Sequence, residues 1–130
     1  MPLATARLAL IALLVAPLPA LADGCQPGLA ESPPSREGGV IHFYNGTHFA
    51  SQIYWSAFET NLRPYALLQP GEDVPYETYL GHAWFLEMDT PEGSVCMGPI
   101  RLEDPQGCDV NILYDEGEGA FGLEIHGSCE

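Results

Sequence analysis

Val40-Ile41-His42-Phe43-Tyr44-Asn45-Gly46 alternates inward and outward side chains and then meets Asn-Gly. A two-residue period puts Ile41 and Phe43 on one face of an extended strand, and Asn-Gly suits the backbone angles of a tight turn. Towards the C-terminus the pattern recurs in short β-branched and aromatic runs over residues 52–57, 74–79, 82–88, 94–102, 110–114 and 121–126. Gln69-Pro70-Gly71, Thr90-Pro91-Glu92-Gly93 and the acidic glycine loop 115–119 punctuate them with turn residues. No stretch sustains a 3.6-residue period. The expectation is an all-β fold: a small, disulfide-stabilised β-sandwich of about seven short, mainly antiparallel strands. Ile41, Phe43, Ile53, Trp55, Trp84 and Leu86 are its candidate core. Between Phe58 and Pro70 the run Arg63-Pro64-Tyr65 interrupts any ladder, so this part reads as a long connection across one end of the sandwich.

Towards the N-terminus, residues 23–39 hold Pro27, Pro33, Pro34 and several glycines, the composition of a flexible arm. Before it, Arg7 precedes an apolar run that ends at Pro17, Pro19 and the triplet Ala20-Leu21-Ala22. Residues 1–22 therefore read as a cleaved signal peptide, and the protein as secreted or periplasmic. The apolar run falls short of the ~20 residues of a membrane span.

The chain of 130 residues carries 18 Asp plus Glu against 4 Lys plus Arg, a net charge of −14. Such a surface offers no counterion-displacing patch to nucleic acid and is repelled by anionic lipid heads. It fits a monomer, or a basic partner. The four cysteines of an exported chain read as two disulfides. Cys96 with Cys108 around the turn 103–107, and Cys25 with Cys129 tying the ends together, is the expected pairing. No C-x-x-C or H-x-x-x-H spacing suggests a metal site, and no cofactor motif is present. Asn45-Gly46-Thr47 matches a glycosylation sequon, but a hairpin turn at Asn-Gly accounts for it without further assumption.

The densest chemistry lies in Thr78-Tyr79-Leu80-Gly81-His82-Ala83-Trp84. A three-residue hairpin loop with Gly81 left-handed sets Thr78 opposite His82, with Cβ atoms about 5 Å apart and Trp84 on the same face. A hydroxyl, an imidazole and an indole together can bond a small polar group while an aromatic wall packs its ring. An ordinary cross-strand pair beside a core Trp has the same composition. No orienting carboxylate stands at an obvious position for catalysis, so the expectation is a binding module and not an enzyme.

These residues also form a wider pattern. Phe43-Tyr44-Asn45, Ile53-Tyr54-Trp55 with Phe58, Pro64-Tyr65 with Leu68 and Pro70-Gly71, and finally Thr78-Tyr79-Leu80-Gly81-His82-Ala83-Trp84 follow one another without a gap. In this the chain resembles the von Hippel-Lindau tumour suppressor β-domain family, from Ile41 to Trp84 strongly and weakly for about 20 residues beyond. The resemblance implies that residues 40–130 form such a domain and recognise an extended proline- or hydroxyproline-containing peptide. It implies a pocket of Trp55, Tyr65, Thr78, His82 and Trp84. The two indoles would pack the pyrrolidine ring, Thr78 and His82 would meet its 4-hydroxyl, and Tyr65 would bond the ligand backbone.

The family's helical, adaptor-recruiting domain has no counterpart after Leu102, so a ubiquitin-ligase role is not implied. The basic residues flanking the family's peptide groove are also missing, with Arg63 alone between Arg36 and Arg101. A carbohydrate-binding or purely structural exported module is the alternative reading of the same aromatic residues.

Overall fold

The structure, a computed structural model, describes residues 24–59 and 61–130, and the expected signal peptide lies outside them. Eight strands are present among these residues: β1 (Gly38–Asn45), β2 (Ser51–Ser56), β3 (Leu62–Leu68), β4 (Asp73–Tyr79), β5 (Ala83–Thr90), β6 (Gly93–Arg101), β7 (Cys108–Asp115) and β8 (Ala120–Gly127). They form two four-stranded sheets, ordered β4-β1-β7-β8 and β3-β2-β5-β6. All neighbours are antiparallel except β1 and β7, which run parallel. The period-2 pattern thus produced the sandwich it implied. Ile41, Phe43, Ile53, Leu86, Met88, Val110 and Ile112 alternate inward from both sheets and are fully buried. Each such side chain contributes about 1.5–3 kcal/mol through burial.

Three local expectations need correction. The connection between Phe58 and Pro70 contains a strand, β3, despite Pro64. Proline is tolerated there because β3 is an edge strand paired only with β2. The register moves from Ile53↔Ala66 to Tyr54↔Pro64, so Tyr65 is the extra residue of a bulge. Neither Asn45-Gly46 nor Tyr79-Leu80-Gly81 closes a hairpin, because β1 and β4 lie in one sheet and β2 and β5 in the other. Both segments cross between sheets. Asn45 is wholly buried, its amide donating to the Phe49 and Leu68 carbonyls while its oxygen accepts from Thr47. That side chain is a structural pin at the crossing.

The disulfides pair Cys25 with Cys96 and Cys108 with Cys129, which overturns the expected connectivity. Cys96 lies on β6 and Cys108 on β7, in different sheets, so closeness in sequence does not bring them together. Cys108 pairs instead across β7 and β8, where its register partner is Gly127 and Cys129 follows two residues later. Cys25 reaches β6 because the N-terminal segment runs back along that sheet, with Gly24 N–H bonded to the Ser94 carbonyl. Of residues 23–39, expected as a flexible arm, the described residues 24–37 contain no strand but are fastened to the sandwich at several points, including the buried Ser32, and Gly38 and Gly39 already belong to β1.

Candidate functional site

The two sheets bring edge strands β3 and β4 to the same side of the sandwich, and a pocket of about 380 Å³ opens there. β2 and β5 pair so that Trp55 stands directly opposite Trp84. The β3 bulge supplies Tyr65, β4 supplies Thr78 from the other sheet, and the crossing loop places His82 one residue before β5. All five residues expected from the sequence line this one pocket, although Thr78 and His82 arrive from different sheets and not across a hairpin. Gly81 has a φ of +81°, the left-handed turn residue the loop requires, and His82 N–H closes the turn on the Tyr79 carbonyl.

The side chains interlock. Trp84 Nε1 donates to Thr78 Oγ1 at 2.9 Å, and Trp55 Nε1 donates to His82 Nδ1 at 3.2 Å. The Trp55 and His82 rings stack with centroids 5.7 Å apart, and Tyr65 meets Trp84 edge-on at 5.1 Å. Phe58 closes on both Trp55 and His82 in T-shaped contacts, and Arg63 lies over the Trp55 ring. Trp84 is only 2% exposed and stacks on Tyr76, so it is chiefly a core residue that shows the pocket an edge. Phe58 is not among the expected site residues, although its place in the aromatic pattern is a signal that marks it. Ser35, Glu77 and Tyr79 also line the pocket; Tyr79 lies within the motif but is not among the expected site residues, and no sequence signal singles out Ser35 or Glu77.

Thr78 and His82 each keep capacity for a ligand. Thr78 Oγ1 accepts from Trp84, which leaves its own proton to donate. Because His82 Nδ1 accepts from Trp55, the neutral imidazole carries its proton on Nε2, and that buried atom has no hydrogen-bond partner. An unsatisfied buried donor costs about 1–3 kcal/mol, so it marks a place where a partner atom is favourable. Neither group is wired for proton relay: the bond to His82 comes from an indole and not a carboxylate, and Thr78 is bonded to Trp84.

Burial lowers the His82 pKa from its ordinary 6.5; the Pro33 carbonyl close by opposes that shift without completing a hydrogen bond, and the Arg101 guanidinium adds to it. A depressed folded-state pKa means that the unfolded chain binds the proton more readily. The stability contributed by neutral His82 is therefore present above 6.5 and lost as pH falls through the lower folded value. Protonation also turns Nδ1 into a donor and breaks its bond from Trp55. Melting temperatures between about pH 8 and pH 5 should fall more steeply in the native protein than in His82→Gln, with Trp55 fluorescence changing over the same range. Parallel slopes would contradict the assignment.

Other clefts are larger: two of about 530 Å³, one on the outer sheet face beside His42 and one near Phe49 and Met97, and one of about 460 Å³ beside Gly38 and Tyr79. The smaller pocket is nevertheless the better site, since among the described residues it joins convergent aromatic walls to the orphaned imidazole donor. Among known proteins, the family model described as the VHL beta domain matches residues 31–96, just over half of the chain. No curated protein sequence matches the chain. The family match takes in all five pocket residues and begins within the N-terminal segment.

Proposed function

Since the chain belongs to the VHL β-domain family, whose domain is a recognition module for hydroxyproline peptides, we propose that this pocket receives a proline or 4-hydroxyproline of an extended peptide. The observation that carries the reading is the meeting of Trp55, Tyr65, Thr78, His82 and Trp84 at one pocket with a buried, unpartnered Nε2 donor. The pyrrolidine ring packs against Trp55 and the edge of Trp84. Its hydroxyl lies between Thr78 and His82, and the half-exposed Tyr65 bonds a ligand carbonyl. β4 is an edge strand, so its unpaired backbone groups offer an extended peptide a ladder beside the pocket.

Two disulfides suit an oxidising compartment, in keeping with export. After Leu102 the described residues build β7 and β8, and a ligase-adaptor role is not part of the proposal. Calorimetric titration with paired proline-rich peptides differing only in the 4-hydroxyl tests the reading. The hydroxylated peptide should bind more tightly by about 1–3 kcal/mol, and Thr78→Val and His82→Ala should remove that difference. Equal affinities in the native protein would sink the hydroxyl contact. The exposed rings of Phe58, Tyr65 and Tyr79 support carbohydrate stacking as a second reading, which oligosaccharides in the same titration address.

A further inference from the structure

The N-terminal segment does more than lead into β1. Ser32, only 3% exposed, donates to the Ser56 carbonyl at 2.6 Å and accepts from Ala83 N–H at 2.9 Å, stitching the segment to β2 and β5 beside the pocket. Ser56 Oγ donates to the Ala30 carbonyl, and Arg101 Nη1 donates to the carbonyls of Glu31 and Gly81. The next residue, Pro33, packs so closely on Gly81 that an added Cβ there would lie 3.1 Å from its ring, and its carbonyl acts on His82. Ser35 forms part of the pocket wall. The segment is tethered on one side by the Cys25–Cys96 disulfide, and on the other by β1 and the bond from Leu80 N–H to the Glu37 carbonyl.

Past Ser32 the hold is lighter. Pro33 and Pro34 are exposed and have no N–H with which to join a ladder. Yet His82 Nε2, the donor on which the proposed hydroxyl contact depends, has almost no accessible surface. We infer that residues 30–35 form a strap that closes the His82 end of the pocket, and that it must lift for a ligand hydroxyl to reach Nε2. The contact is autoinhibitory. Its ligand side rests on the pocket reading above, whereas the cover over His82 is a property of the free protein. A site that is open for only a fraction of the time shows an affinity reduced by that fraction, so loosening the strap should tighten binding.

The test uses the disulfide-bonded protein, Ser32→Ala, and the double variant Pro33→Gly/Pro34→Gly, whose replaced side chains are exposed and so leave the core intact. Diethyl pyrocarbonate labelling, read by mass spectrometry at each histidine, reports access to His82, with the exposed His48 and His126 as internal references. Both variants should label His82 faster by about tenfold at unchanged reference rates, and should bind the hydroxyproline peptide more tightly by a similar factor. An unchanged His82 rate in both variants overturns the strap. Faster labelling with weaker peptide binding overturns the autoinhibitory role and makes the segment a wall of the site. Faster labelling with no peptide bound by any form supports the strap as a cover and refutes the hydroxyproline reading instead.

Discussion

Trp84→Ala should cost about 3–5 kcal/mol of folding stability, the range for removing a large aromatic side chain from a packed core. Trp84 is 2% exposed, stacks on Tyr76 with centroids 5.3 Å apart, and packs on Phe43 at 5.8 Å and Tyr65 at 5.1 Å. The cavity left behind would lie between the sheets, where strand backbones held in two ladders cannot close in to fill it. Removal also strips Thr78 of its indole donor. Urea unfolding should show a lower midpoint at an unchanged slope; a loss below about 1 kcal/mol would mean that the indole is not the core element its burial indicates. Lost peptide binding in this variant says little about ligand contact, since the scaffold itself is weakened. Trp84→Phe separates the two roles, keeping most of the packing while deleting the N–H that fixes the Thr78 hydroxyl.

The second large effect is expected from Cys25→Ser/Cys96→Ser. This disulfide closes a loop of sequence separation 71, and in the chain-entropy model its loss destabilises the fold by about 4 kcal/mol. Cys108–Cys129 closes a separation of only 21, for which the same model gives about 3 kcal/mol. Thermal melts of the two double variants should therefore both fall, the Cys25/Cys96 pair further. The reverse order would show that the Cys108–Cys129 link at the start of the β7–β8 ladder matters more than loop length. Neither variant is a substitute for Ser32→Ala in probing the strap, because unfolding and strap release would then be confounded.

What was legible in the sequence follows from which interactions are local. Strand periodicity is carried by neighbouring residues, so seven strands emerged within two residues of their observed bounds, and Ile41, Phe43, Ile53 and Leu86 were assigned to the face they occupy. β3 stayed hidden because Pro64 is forbidden in a central ladder but harmless at an edge, and edge position is a property of the assembled sheet. The disulfides failed for a similar reason: partition of β6 and β7 into separate sheets cannot be seen in their spacing. The five pocket residues were found through a pattern of rare aromatic and Gly-His positions, while the geometry inferred for Thr78 and His82 was wrong in its route. Ser32 and Ser35 left no trace, since a Pro- and Gly-rich segment has no periodicity and its place is set by distant partners such as Ser56, Ala83 and Cys96.

The parallel pairing of β1 with β7 has a consequence for the order of events as the chain is made. Ile41 takes its place beside Cys108, and Asn45 beside Ile112, so a central neighbour of the first strand is not available until most of the polypeptide has been synthesised. Closing so long a separation is slow relative to local hairpin formation. Until β7 emerges, β1 has only β4 beside it, and the sheet cannot complete its hydrophobic face. The antiparallel sheet β3-β2-β5-β6 needs nothing beyond Arg101, so it can form first, and the β4–β1 pair then waits for β7 to complete the second sheet.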